Sequence, residues 1–106
     1  MFTFIEGPLF SKYVYDYLEE EEYAEFQGYL ANNPENGDIV RGAGGVRKIR
    51  WSRKGVGKSG GVRVIYFVRN HRGEIWLLTI YAKSGQDSIP GHVLKALKEE
   101  LIDEAD

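Results

Sequence analysis

From residue 9 onward the hydrophobic pattern of this chain changes its period twice, and this constrains the fold more than any other feature. Between residues 9 and 30 apolar side chains recur at spacings of three and four, as on an amphipathic helix. Three runs at residues 46–51, 62–68 and 74–83 are instead rich in β-branched and aromatic side chains, which is typical of strands. The helical spacing returns from residue 89 to 101. The chain therefore predicts helices before and after a three-stranded antiparallel meander.

The remaining segments predict the ends of these elements. Residues 2–6 alternate and predict a first strand, which Gly7 and Pro8 end. The helical stripe crosses a run of acids and predicts two helices or one bent helix. Residues 34–45 are rich in Asn, Asp and Gly, which is typical of an irregular loop. We expect a single α+β domain over residues 1–106. Its antiparallel sheet of about four strands would have two N-terminal helices packed on one face and a C-terminal helix, leaving the other face open for function.

The charges are segregated along the chain, although the formal net charge is only -2. Residues 1–40 are strongly acidic and contain a single base, Lys12. Residues 41–83 contain a single acid, Glu74, and have a net charge of +10. A partner with many negative charges is therefore expected for this segment. Its bases are Arg41, Arg47, Lys48, Arg50, Arg53, Lys54, Lys58, Arg63, Arg69, Arg72 and Lys83.

Several classes of protein do not fit the composition. The chain has no cysteine, so it offers neither disulfides nor thiolate metal ligands. No apolar run approaches the roughly 20 residues of a membrane span, and the first residues do not resemble a secretion signal, so we expect a cytoplasmic protein. Two isolated histidines without a zinc-binding spacing predict no metal site, and no other cofactor is expected.

The bases on and after the strand at 46–51 are the first candidates for contacts with a nucleic acid. Arg and Lys side chains pair with phosphates, and this segment contains few acids to neutralise them. A solvated edge strand whose lysines discourage aggregation is the alternative. The candidates are Arg47, Lys48, Arg50, Arg53 and Lys58.

Four further residues are candidates for chemistry. Arg63 begins a strand with apolar neighbours, and a cation held there could stabilise a phosphorane-like transition state; the alternative is an ion pair with Glu74 across the hairpin. Tyr81 and Lys83 lie two residues apart on one strand and could share proton transfer or bind phosphate, although Tyr81 could equally be a core aromatic. His92 at the start of the last helix could act as an acid or base, although such histidines more often lie at the surface or cap a helix.

These segments together resemble the HigB branch of the RelE/ParE toxin superfamily. The resemblance rests on NPENGDIVRGAGGVRKIRW, GKSGGVRVIYFV and LLTIYAKS, in that order, and extends from Phe2 to about Leu101. It implies the toxin of a type II toxin-antitoxin system, a ribosome-dependent endoribonuclease, or mRNA interferase. Such an enzyme cleaves mRNA in the ribosomal A site by attack of a ribose 2'-OH on the adjacent phosphate. The implied partners are mRNA, the ribosome with its rRNA, and a cognate antitoxin similar to HigA or RelB.

The resemblance also implies roles for individual residues. Lysines and arginines of the middle strand and the loop after it would bind the RNA backbone or transfer protons. Many relatives have a tyrosine or histidine after the final strand, where this chain offers only His92, so the identity of the general base stays open. The implied residues are Lys48, Arg50 and Lys54 for backbone binding or proton transfer, Arg63 for transition-state charge, and Tyr81 with Lys83 beside the scissile phosphate.

Two other functions remain compatible with the sequence. A gyrase inhibitor of the ParE type would share the fold without cleaving nucleic acid. A non-catalytic RNA-binding module would need exposed aromatic side chains on its strands, for which Trp51, Tyr66 and Trp76 are candidates. The oligomeric state is left open, and a free monomer is compatible with one small domain.

Overall fold

The computed structural model describes residues 1–52, 61–82 and 89–105. These parts contain five strands and three α-helices, and a short 3-10 turn at Asn70–Arg72 joins the last two strands. In chain order the elements are β1 (Thr3–Glu6), α1 (Pro8–Tyr17), α2 (Glu20–Asn32), β2 (Asp38–Ile39), β3 (Arg47–Trp51), β4 (Val62–Arg69), β5 (Glu74–Ala82) and α3 (Gly91–Ala105). No helix in the described ranges is long and apolar enough to cross a membrane.

The sheet is mixed, with strand order β1-β5-β4-β3-β2. The antiparallel meander of β3, β4 and β5 confirms the sequence prediction. The prediction of about four antiparallel strands is wrong, because β1 lies parallel to β5 and a two-residue β2 adds a fifth strand beside β3. The α+β class is confirmed. The backbone N–H of Gly7 still donates to the carbonyl of Leu77 at 2.8 Å, which continues the β1–β5 ladder to the start of α1.

The acidic run after α1 separates two helices. Glu19 is extended and begins α2 with a capping box, in which its backbone N–H donates to the Glu22 carboxylate at 3.0 Å and its own carboxylate accepts the N–H of Glu22. Acidic side chains in a first helical turn also face the positive end of the helix dipole. The acids that interrupt the apolar stripe therefore start the second helix.

Helices cover both faces of the sheet. We call the two buried clusters the α1–α2 core and the α3 core. The expectation of one open face is wrong, because the apolar stripe of α3 packs against the face opposite α1 and α2. The α1–α2 core contains Phe10, Val14, Leu18, Tyr23, Phe26, Leu30, Ile49, Val62, Val64, Tyr66, Ile75, Leu77 and Ile80. The α3 core contains Ala43, Val46, Ile65, Phe67, Trp76, Leu78, Tyr81 and Leu94.

A β-bulge in β5 decides which face its last residues occupy. Tyr66 pairs with Leu77, but the preceding residue Ile65 pairs with Thr79, so β5 contains one extra residue. Side chains alternate along a regular strand, and Leu77 and Tyr81 would then share a face. Leu77 instead packs in the α1–α2 core and Tyr81 in the α3 core. The bulge therefore moves Tyr81 to the α3 side of the sheet.

The loop between β2 and β3 packs against α3. Its residue Ala43 is fully buried in the α3 core, and the ammonium of Lys98 on α3 donates to the carbonyl of Gly44. Gly91, the first residue of α3, lies directly against the carbonyl of Arg41. This loop and the first half of α3 are therefore held as one unit on the β3 side of the sheet.

Candidate functional site

Arg50, Arg63 and Tyr81 form a row across three neighbouring strands on the α3 side of the sheet. In the register, Arg50 of β3 lies opposite Arg63 of β4, and Arg63 lies opposite Tyr81 of β5. Residues that are directly opposite in a sheet project from the same face. Neighbouring strands are about 4.8 Å apart, so the row spans roughly 10 Å. Two guanidinium groups and one phenol are thus brought together from separate parts of the sequence.

Arg63 lies at the centre of the row, and part of its guanidinium is buried. The residue is half-buried, and its Nη1 atom is buried without a hydrogen-bond partner among the described residues. A buried charged donor without a partner is costly, and a bound anion would satisfy it. The alternative of an ion pair with Glu74 is wrong, because Glu74 lies at the other end of β5 opposite Arg69. Its carboxylate accepts a hydrogen bond from the indole of Trp76 at 3.0 Å.

Tyr81 is buried beside Arg63, with only 7% of its surface exposed. Burial raises the pKa of the Tyr81 phenol above its ordinary value, and the positive charge of Arg63 opposes part of this increase. The phenol therefore keeps its proton at neutral pH. In this state Tyr81 can donate a hydrogen bond or a proton, but it cannot act as a base.

Lys48 and Arg50 extend the positive charge along β3. Their side chains share the face of Arg63, because they lie opposite Ile65 and Arg63 in the register. Arg50 is exposed and Lys48 is half-buried. Asp38 of β2 lies opposite Lys48 and is the acidic residue nearest to the row in the register. The cations of β3 thus continue from the row toward the β2 edge.

Arg47 is separated from the other bases of β3. It projects toward the α1–α2 face, and its Nη1 donates to the carbonyls of Gly37 at 2.8 Å and Glu35 at 3.0 Å. Tyr66 holds the same loop from the sheet, because its hydroxyl accepts the N–H of Gly37 and donates to the carbonyl of Pro34. The sequence prediction placed Arg47 among the nucleic-acid ligands, whereas its guanidinium in the structure fastens the loop before β2.

The other candidates are distributed more widely. His92 is exposed at the start of α3, as the sequence predicts. Tyr66 is fully buried and Trp76 is 4% exposed, so neither can serve as an exposed stacking platform for a non-catalytic RNA-binding module. No group of three His, Asp or Glu side chains that could hold a metal ion occurs within the described ranges. The candidates Arg53, Lys54, Lys58 and Lys83 lie outside the described residues.

One feature was missed by sequence reasoning, namely a pocket at the outer edge of β3. It has a volume of about 390 Å³ and is called the edge pocket here. Its side chains come from α2, the loop before β2 and the end of β3, so no single stretch of sequence predicts it. The sequence offered Trp51 as a candidate stacking aromatic and Arg50 as a candidate RNA ligand, but it did not connect them with Tyr29 or Asn36. The pocket is lined by Tyr29, Asn36, Ile49, Arg50, Trp51 and Ser52.

No protein-family model matches this chain.

Proposed function

We propose that this protein is an RNA-cleaving toxin, a ribosome-dependent endoribonuclease of the RelE/HigB type. The observation that carries the proposal is the buried Nη1 of Arg63, which has no hydrogen-bond partner among the described residues. It lies between Arg50 and Tyr81 in a row of two cations and one proton donor. A phosphodiester supplies the anionic oxygens that such a row lacks, and the net charge of +10 over residues 41–83 suits a polyanion.

The proposed reaction is an internal transfer at phosphorus. The ribose 2'-oxygen attacks the adjacent phosphorus, its bond to phosphorus forms, and the bond to the 5'-oxygen of the next nucleotide breaks. The products are a 2',3'-cyclic phosphate and a 5'-hydroxyl. DNA is not a substrate, because it lacks the attacking hydroxyl.

Each residue of the row has a task in this reaction. Arg63 stabilises the negative charge that develops on the non-bridging oxygens, and its partly buried position strengthens this interaction. Tyr81, kept protonated by burial, donates its proton to the leaving 5'-oxygen. Arg50 binds a flanking phosphate. The proton of the 2'-OH passes to a base, for which Lys48 and Lys54 are the candidates.

The proposal includes the partners and location that the resemblance implies. The substrate is mRNA in the A site of the ribosome, where cleavage inhibits translation. A cognate antitoxin of the HigA/RelB kind restrains the toxin, and both act in the cytoplasm.

Primer extension on a defined mRNA with purified ribosomes tests this function. We expect discrete cuts at A-site codons that disappear without ribosomes. Arg63→Ala should lower the cleavage rate by about 10²–10³-fold, because it removes one donor to the developing charge. Arg63→Lys should restore part of the rate, since it keeps the charge but loses the planar fork. Arg72→Ala removes one positive charge from the distant β4–β5 turn, and this variant should cleave mRNA at the normal rate.

Two results would contradict the proposal. Cleavage that Arg63→Ala leaves unchanged, in a variant that folds normally by circular dichroism, would exclude the proposed role of this row. An mRNA that stays uncut at all toxin concentrations would exclude the endoribonuclease. The next measurement would then be inhibition of DNA gyrase supercoiling, as expected for a ParE-type toxin.

A further inference from the structure

Within the described residues, the outer edge of β3 pairs with another strand along only part of its length. β2 pairs only with Arg47 and Lys48, so residues 49–51 have no strand partner on this side within the described residues. The edge pocket lies along this open stretch, with the ring of Tyr29 on one side and the loop residue Asn36 at its end. It is therefore a cleft between the end of the sheet and α2.

Two aromatic rings in this pocket are held at fixed angles. The Trp51 ring meets Phe26 edge to face at a centroid distance of 5.3 Å, and it meets Tyr29 at 5.5 Å with the planes inclined by 49°. Phe26 is fully buried in the α1–α2 core, so the Trp51 ring packs against a core side chain. Tyr29 is 38% exposed. A flat ligand can stack against this pair without first ordering it.

Asn36 and Tyr29 in the pocket keep acceptor and donor atoms available for a ligand. The Asn36 amide donates to the Tyr29 hydroxyl oxygen at 2.7 Å. This bond leaves the amide oxygen of Asn36 and the hydroxyl hydrogen of Tyr29 without hydrogen-bond partners in the described part of the chain. An adjacent acceptor and donor match the edge of a nucleobase, which presents amino groups beside ring nitrogen or carbonyl acceptors.

Arg50 connects the pocket to the catalytic row. It lines the edge pocket and also lies opposite Arg63 in the sheet. Arg50 projects to the α3 side of β3 and Trp51 to the α1–α2 side, so the nucleoside of a phosphate bound by Arg50 would reach the rings of Tyr29 and Trp51 around the outer edge of the strand. The guanidinium favours an anionic ligand over an uncharged peptide strand that might pair with the open edge.

We infer that the edge pocket binds one nucleobase of single-stranded RNA, stacked against Tyr29 and Trp51 and read by Asn36. Its phosphate is held by Arg50. This inference rests on the proposed function, because the bound base belongs to a nucleotide next to the cleaved phosphate. The pocket would then select which codons are cut.

The two tryptophans of the chain allow a direct test by NMR of the indole N–H groups, with Trp51→Phe assigning the two signals. We expect ribotrinucleotides to shift the Trp51 signal, and an abasic trinucleotide with the same phosphates to shift it much less. The Trp76 signal serves as an internal control, because its indole N–H is bonded to Glu74.

Matched variants separate stacking from charge. Tyr29→Ala should weaken binding of base-containing trinucleotides by about tenfold or more and leave the abasic one unaffected. Tyr29→Phe keeps the ring and should retain most of the affinity. Tyr15→Ala removes an exposed tyrosine of α1 and should change nothing. Arg50→Ala should weaken both kinds of trinucleotide.

Three outcomes would overturn the inference: no shift of Trp51 with any trinucleotide, equal shifts with and without bases, or an unchanged affinity in Tyr29→Ala. A shift caused only by a short extended peptide would also overturn it and would indicate strand addition. These measurements need neither ribosomes nor cleavage. Base-dependent binding without any mRNA cleavage would therefore refute the proposed enzyme and leave the nucleobase site standing. Cleavage of mRNA without base-dependent binding would refute the nucleobase site alone.

Discussion

Replacing Tyr66 by Phe should destabilise the fold, because it removes the hydrogen bonds that join the sheet to the loop before β2. Tyr66 is fully buried between the sheet and the loop before β2. Its hydroxyl accepts the N–H of Gly37 at 2.9 Å and donates to the carbonyl of Pro34 at 2.8 Å. A Cβ at Gly37 would lie only 2.6 Å from this hydroxyl oxygen, so the loop approaches the phenol closely enough that glycine is required. Phe keeps the ring and removes both hydrogen bonds.

The magnitude follows from what the missing hydroxyl leaves behind. Gly37 is buried, so its N–H loses its partner without gaining water, which costs about 1–3 kcal/mol. The carbonyl of Pro34 is partly exposed and recovers some hydration, which adds less than about 1 kcal/mol. We expect a loss of about 1–4 kcal/mol in the free energy of unfolding. For a domain of this size the corresponding decrease in Tm is on the order of 10 °C.

Urea unfolding monitored by circular dichroism is the assay, with Tyr15→Phe as control. The Tyr15 side chain is 59% exposed, so loss of its hydroxyl should change stability by less than about 0.5 kcal/mol. Arg47→Ala completes a double-mutant cycle, because Arg47 donates to Gly37 and Glu35 of the same loop. The two changes should be coupled by at least about 0.5 kcal/mol. A Tyr66→Phe protein as stable as the control, or strictly additive effects, would refute the reasoning.

Two further predictions concern stability. Burial raises the pKa of Tyr23 and Tyr81 above 10.0, so the folded state binds more protons than the unfolded state at alkaline pH. This contribution to stability is complete below pH 10 and is lost as the pH rises further. The urea midpoint should therefore fall above pH 10, and it should fall less steeply in Tyr23→Phe. An equal dependence of the midpoint on pH in both proteins would contradict this prediction. Gly91→Ala should cost about 1–3 kcal/mol in thermal unfolding, because its methyl group would overlap the carbonyl of Arg41. Gly28 lies in open space on α2, so Gly28→Ala should increase the free energy of unfolding by up to about 1 kcal/mol. Similar effects of the two substitutions would refute the packing argument.

The local elements could be predicted because their signals lie within short windows. The apolar spacing around Val14 and Leu94 indicates which sides of α1 and α3 are buried, and both residues are core in the structure. Alternation along β3 separates Lys48 and Arg50 from Arg47, as the register shows. The row was predicted only as separate candidates, since Arg63 and Tyr81 are 18 positions apart and only strand pairing brings them together.

The missed features all depend on long-range packing. β1 pairs with a strand about 70 residues later, and nothing in FTFIE specifies a parallel partner. The two-residue β2 lies in a segment rich in Asn and Gly whose composition predicts a loop. The edge pocket needs Tyr29, Asn36 and Trp51 from three different elements.

The sequence alone determined the order and type of the main elements and the position of the positive segment, because helical and strand periodicities and charge counts are local properties. The tertiary structure alone decided which charges act together. One extra residue at the bulge in β5 moves Tyr81 from the side of Leu77 to the side of Arg63. Two loop carbonyls bind the guanidinium of Arg47, which strand alternation alone only places on the face opposite Lys48 and Arg50. Both decisions depend on how the strands pair and the loop packs, which only the assembled sheet specifies.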